Sequence, residues 1–346
     1  MKEMTTEELL KEIEENHNNS LFEEIFKRRD KELYRTALFY KGTKINYLTL
    51  KYNVIKYAKA LKVYGIKKGD EIPICMANTP EFIYLLGGIS LIGAKANIFG
   101  EGFDKEYITE IINECNSDIL FATDDKYSVI DDSVKKSKNK RVVLISLTES
   151  LLNGKNPYIK LEKKWYDFKD RRDEIKDNSS RFMFSSEFLN LGKEYKGNYI
   201  EKVNLDDEFT ITYSSGSTNS SRPKAIVHDV KSYIVMGIYH DPKISKVPSM
   251  KNLRMLAHIP THSNTNIMSC ITDPLMQGSE IAVEPIYTPD HFVYSLLINK
   301  PSFVTATRSF FVRCANDILN NKNFKNVKMP FLLVPMIVGE PNSIGE

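Results

Sequence analysis

Residues 213–228 read Tyr-Ser-Ser-Gly-Ser-Thr-Asn-Ser-Ser-Arg-Pro-Lys-Ala-Ile-Val-His. Ser214, Ser215, Ser217 and Thr218 gather hydroxyls around Gly216, and Arg222-Pro223-Lys224 closes the run with two cations. Such a turn offers backbone N–H groups, hydroxyl donors and a lysine, which are the donors and countercharge that polyphosphate oxygens require. By composition alone it reads equally as a solvated Ser/Asn-rich turn. It is not an ordinary P-loop. There is one glycine, Lys224 comes eight positions after it, and a strand rather than a helix follows.

The flanking residues say how the turn is held. Residues 209–213 have the β-branched and aromatic content of a strand, and 225–228 read as a second short one. Upstream, 5–29 has helical spacing with an interruption at 17–19, and a hairpin is expected about Gly42. A helix follows from Leu50 to a left-handed cap at Gly65. Strands are expected at 71–76, 95–99, 119–121 and 141–146. Thr79-Pro80 opens a helix that runs to about Ile92, and Asp104 caps another. Residues 149–197 are charged and poor in aliphatics, and read as a connection with some short helix inside. Beyond the hydroxyl-rich turn, helices at 231–239, 266–276, 290–298 and 309–319 alternate with strands at 253–259, 280–283, 303–306 and 331–338. This rhythm, with near-continuous apolar strands, predicts an α/β fold of largely parallel sheets layered with helices. By length the chain suits two parts: 1–200 with its connector, and 201–346 carrying the loop.

The 346 residues carry 48 Lys and Arg against 45 Asp and Glu, a net charge of +3 that argues against a nucleic-acid partner. The lysine-rich run 135–140 has no interleaved aromatics and reads as a solvated loop. The apolar run 82–94 is too short to span a bilayer and holds three glycines. The N-terminal residues are acidic, unlike a signal peptide. Cys75, Cys115, Cys270 and Cys314 are scattered, as expected of reduced, mostly buried thiols in a cytoplasmic protein. His258 and His262 lie four apart across a strand-to-loop break with no third ligand in view, so no metal site is read there. Glu81 reads as a favourable acid in a helix's first turn, and His228 as a strand-end residue paired with Asp229 or solvent.

The loop resembles the phosphate loop of the adenylate-forming superfamily: acyl-CoA synthetases, peptide-synthetase adenylation domains and luciferases. The usual form there is Tyr-Thr/Ser-Ser-Gly-Thr/Ser-Thr-Gly-x-Pro-Lys-Gly-Val/Ile-x-His. Residues 213–218 match its first half, and Pro223, Lys224, Ile226 and His228 its second. The loop here is two residues longer, and Ala225 stands at the last glycine. The resemblance extends over residues 37–100, over 273–315, and to the Val338-Gly339-Glu340-Pro341 turn. Ile259-Pro260-Thr261-His262-Ser263 is similar to the element bordering the family's acyl pocket, with a register uncertain by one between His262 and Ser263.

The resemblance implies ATP, Mg²⁺ and coenzyme A as cofactors or co-substrates and a small-molecule carboxylate as substrate. It implies phosphate contacts from Ser214, Ser215, Gly216, Ser217, Thr218, Arg222 and Lys224. Lys224 and Thr218 would serve catalysis, and His262 and Ser263 the substrate pocket; no metal ligand is assigned. The implied activity is AMP-forming acid–thiol ligation. In the family the magnesium-binding, ribose-binding and lid elements follow the turn at 338–341, so the expectation is an N-terminal portion of such a ligase. The alternative expectation is a non-catalytic homologue acting as a weak nucleotide-binding or assembly module.

Overall fold

Tyr40-Lys41-Gly42-Thr43 reverses the chain with positive φ at both central residues, 45° at Lys41 and 91° at Gly42. That is the two-residue turn whose twist suits a hairpin, and it joins β1 (Thr36–Tyr40) to β2 (Thr43–Asn46). In the computed structural model, residues 6–16, 19–137, 140–151, 156–172, 174–175, 181–214, 222–240, 249–324 and 327–338 are described. The remaining strands are β3 (Glu71–Cys75), β4 (Lys95–Ile98), β5 (Ile119–Thr123), β6 (Arg141–Ile145), β7 (Phe182–Phe184), β8 (Glu208–Tyr213), β9 (Ala225–Asp229), β10 (Arg254–Ala257), β11 (Glu280–Val283), β12 (Phe303–Ala306) and β13 (Val334–Ile337).

Two sheets result. One has the order β13-β12-β10-β11-β1-β2, the other β7-β6-β5-β3-β4-β8-β9. Among the described pairings only β1–β2 and β8–β9 are antiparallel, so the expected largely parallel α/β architecture is what the chain adopts. Both sheets draw strands from either side of position 200.

The helix Pro80–Ile92 is buried at every residue, which explains why it is apolar all round rather than along one stripe. Thr79 caps it by accepting from the Phe82 N–H, and Gly93 ends it at a φ of 67°. Among the described residues no helix is long and apolar enough to cross a membrane.

Some expectations need correction. Lys140 is no part of a solvated loop: it is buried, and its ammonium donates to the carbonyls of Cys115, at 2.7 Å, and Ser117. Of the rest of that run, Lys138 and Asn139 lie outside the described residues. A helix at Tyr127–Lys135, unforeseen, makes the crossover that joins parallel β5 to β6. The connector also holds more structure than expected. It contributes strand β7 and the helices Pro157–Glu162 and Ser185–Leu191.

Candidate active site

In an open parallel sheet the ligand crevice lies beyond the carboxyl ends of the strands. Here two such sheets share one. A cavity of about 410 Å³ is lined by residues in the segments that follow β3 (Met76, Asn78), β4 (Phe99, Gly100), β5 (Lys126), β10 (His258, His262) and β11 (Pro285, Thr288). Polar ties fix the two sheets across it. The Thr261 hydroxyl donates to the Met76 carbonyl at 2.6 Å, and Asn78 Nδ2 donates to the Ile259 carbonyl at 2.8 Å.

β8 and β9 flank the hydroxyl-rich turn, of which residues 214 and 222–224 are described. Its base is closed by two bonds: the Ser214 N–H donates to the Lys224 carbonyl at 2.9 Å, and the Lys224 N–H donates to Ser214 Oγ at 3.0 Å. The pairing Tyr213 with Ala225 precedes them. Lys224 is exposed, and among the described residues its ammonium has no carboxylate partner. Ser215, Gly216, Ser217 and Thr218 lie outside the described residues.

Arg222 does not stand open as an added cation. Glu110 grips its guanidinium with both oxygens, at 2.6 and 3.1 Å, and the Tyr107 ring lies 5.4 Å beneath it. The Tyr107 hydroxyl donates to the Pro223 carbonyl at 2.8 Å. The helix Lys105–Glu114, capped by Asp104, thereby holds the returning arm of the turn. Sequence reasoning missed Tyr107 and Glu110; their spacing of three on a capped helix put both on one face, but nothing in the sequence named their partner.

The turn meets the cavity at His262, whose carbonyl accepts from the Tyr213 N–H at 3.3 Å. Phe103 packs edge-on against Tyr213 and His262, with centroids 5.3 and 5.4 Å away. A Cβ on Gly100 would lie 2.9 Å from the His262 ring, so only glycine admits the imidazole there. Burial disfavours the imidazolium and lowers the His262 pKa, against a weaker opposing pull from Glu101. His262 lines the cavity, whereas Ser263 turns away into the start of the helical segment Asn266–Thr272, donating its N–H to the Pro260 carbonyl at 3.0 Å.

His258 and His228 also have partners within the fold. His258 is buried and its Nε2 lies 3.0 Å from the Thr305 carbonyl, with burial pushing its pKa down to about 4. His228 Nε2 lies 3.0 Å from Thr212 Oγ1 across the hairpin; burial lowers its pKa against an opposing pull from Asp229, which also caps the helix Val230–Tyr239. Lys126 enters the cavity wall held by Asp125 at 2.8 Å and Glu101 at 2.5 Å. Burial works against its charge, but these two carboxylates outweigh it and raise its pKa.

Glu162, Glu284 and His291 are the described His/carboxylate triad close enough to hold an ion. The Lys41 ammonium already sits between the two carboxylates, 2.7 Å from each, and every one of these side chains is buried. An octahedral Mg²⁺ does not fit a site filled by an ammonium.

The AMP-binding enzyme family matches residues 26–344. The chain is 29% identical over 212 residues to the 3-hydroxypropionyl-coenzyme A synthetase of Sulfurisphaera tokodaii, a match covering 58% of this chain and 29% of that protein. It is 27% identical over 198 residues to the acetyl-coenzyme A synthetase of Bartonella quintana, covering 57% and 28%. The matches thus span less than a third of these relatives' length. Among solved structures, the anthranilate CoA ligase AuaEII in complex with anthranoyl-AMP superposes with a TM-score of 0.71 at 14% identity, over 90% of this chain and 54% of that one. The luciferase-like enzyme of the nonluminescent mealworm Zophobas morio gives 0.70 at 16%, over 95% and 68%.

Proposed function

Because the chain belongs to the AMP-binding enzyme family, we propose that it carries the phosphate-binding and acyl-binding part of an ATP-dependent, AMP-forming acyl ligase. In the first step a carboxylate oxygen attacks the α-phosphorus of ATP in line. The bond to the bridging oxygen breaks, and pyrophosphate leaves with its electron pair. In the second, a thiol, that of coenzyme A, loses its proton, attacks the acyl carbon and displaces AMP. Catalysis of this kind is positioning and charge neutralisation.

Lys224 is assigned to the triphosphate, together with Ser214, Ser215, Gly216, Ser217 and the catalytic partner Thr218; His262 borders the acyl group. Mg²⁺ would neutralise phosphate charge, and the buried triad around Lys41 is not where it binds. A small carboxylate is favoured by the names of the relatives quoted above. Free, buried thiols at all four cysteines fit a cytoplasmic setting.

The observation that carries this reading is Lys224. The hairpin base fixes its backbone, its ammonium is exposed, and the same hairpin bonds through the Tyr213 N–H to His262, which lines the cavity. The test is carboxylate-dependent exchange of labelled pyrophosphate into ATP by the full-length protein. Exchange is expected, with a Lys224→Ala loss of at least ~100-fold, the scale of one transition-state charge contact. Absence of exchange with every carboxylate from two to eight carbons would refute the assignment, and an ATP-induced rise in melting temperature that Lys224→Ala abolishes would then mark a nucleotide-binding module instead.

A further inference from the structure

Residues 157–171 cross the carboxyl ends of both sheets and are fastened to each. On one side, Asn156 caps the helix Pro157–Glu162 and donates its Nδ2 to the Lys41 carbonyl at 2.8 Å. Glu162 then shares the buried Lys41 ammonium with Glu284, which lies one residue past β11. On the other side, the Arg171 N–H donates to Asp124 Oδ2 at 3.4 Å, just past β5, and its guanidinium lies 3.6 Å from Oδ1. Between these anchors the chain lays Trp165 and Tyr166 onto the wall of the 410 Å³ cavity that His262 also lines.

Neither ring is free to swing aside. Trp165 is backed by His291 and Tyr294, with centroids 5.0 and 4.4 Å away. Tyr166 is backed by Phe168 at 4.9 Å, and Phe168 packs in turn with Leu147 and Ile286. The anchors belong to the strap and the sheets, so the wall's position does not depend on what enters. A cavity at the small end of the ~300–1,000 Å³ range of ligand pockets, walled on one side by two packed aromatic rings, discriminates by length.

We propose that Trp165 and Tyr166 set the upper size of the acyl group, admitting short carboxylates and excluding long ones. The proposal rests on the acyl-ligase reading above. The full-length protein and its Trp165→Ala and Tyr166→Ala variants are compared in pyrophosphate exchange with propionate and with octanoate. The octanoate-to-propionate ratio is expected to rise at least ~10-fold in a variant, the worth of a few methylenes admitted to a pocket. An unchanged ratio in folded variants overturns the proposal.

A second readout needs neither variant nor turnover. Trp165 is the single tryptophan of the 346-residue chain, so its emission follows occupancy of the cavity. Propionate is expected to shift that emission and octanoate to leave it unchanged. Equal responses, or a response to neither, overturn the size limit. A protein that exchanges pyrophosphate with no carboxylate fails the ligase reading, and the Trp165 emission still decides whether the cavity selects short chains.

Discussion

Lys224 and Arg222 stand two residues apart in one arm of the hairpin, yet the fold uses their charges differently. Arg222 is neutralised bidentately by Glu110, a half-exposed pair of the kind worth ~0–1 kcal/mol, so its work is to hold the arm. Lys224 is exposed and has no carboxylate partner among the described residues. Arg222→Ala should therefore cost less than ~10-fold in pyrophosphate exchange, with the Glu110→Ala/Arg222→Ala double variant no worse, whereas Lys224→Ala costs far more. Equal losses from the two single substitutions would show Arg222 on the phosphates after all. Glu81 illustrates a residue whose type was legible and whose state was not. It occupies the first turn of Pro80–Ile92 as expected, but burial, then the nearby Glu149, pushes its pKa to about 8, against the lowering bond from Ser150. The folded protein thus keeps this proton where the unfolded chain, at its ordinary 4.5, has lost it. The stability it contributes is complete at low pH and is lost as pH rises through about 8. Glu81→Gln removes that dependence, so its melting temperature should gain on the parent's as pH climbs. A gap that stays constant with pH would mean Glu81 is ionised in the fold.

At the scale of elements, what was legible is what local chemistry dictates. Thr79-Pro80 and Gly93 mark the two ends of one helix because a side-chain cap, a fixed proline φ and a left-handed glycine are each local requirements. The same Thr-Pro pair at 288–289 also opens a helix, but Thr288 makes no side-chain cap bond and lines the cavity instead. The helix at Tyr127–Lys135 went unread since only Ile130 and Val134 are buried apolars on it, too sparse a stripe to see by spacing alone. Its necessity is topological: parallel β5 and β6 need a crossover. The turn that carries Arg222 and Lys224 was legible as a motif, and its supports Tyr107 and Glu110 were not, because they arrive from over a hundred residues away. Gly88 offers a check on how tightly the elements meet. A Cβ there would lie 2.9 Å from the Ala58 backbone nitrogen and 2.8 Å from Tyr57 Cβ, where the helices Tyr47–Tyr64 and Pro80–Ile92 touch. Backbone cannot step aside as a flexible side chain would, so Gly88→Ala should destabilise by ~1–3 kcal/mol, read as a lower denaturant midpoint at unchanged slope. An unshifted midpoint would place the two helices further apart.

At the scale of the whole molecule, strand order is set by pairing that no local signal encodes. β1 lies beside β11, with Leu38 opposite Ile281, and β8 lies beside β4, with Ala96 opposite Thr210. A reading along the chain therefore finds the strands but not which sheet each joins. The same topology leaves two edges worth testing. β13 pairs only with β12, and β9 only with β8, among the described strands. Both carry exposed apolar side chains: Val334 is 41% and Ile337 50% exposed on one, Ile226 44% and Val227 50% on the other, with Leu333 at 61% beside β13. Unpaired backbone donors and acceptors next to apolar side chains form a template for another strand, although Pro335 interrupts one edge and the β8–β9 register shifts between Glu208 and Thr210. The 346-residue chain should therefore self-associate as its concentration rises, with the sedimentation coefficient increasing accordingly. Val334→Lys with Ile337→Lys should return it toward the monomer while leaving the far-ultraviolet circular dichroism unchanged, since neither side chain belongs to the buried core. Ile226→Lys tests the other edge separately. A chain that stays monomeric at every accessible concentration would show that both edges are covered in solution.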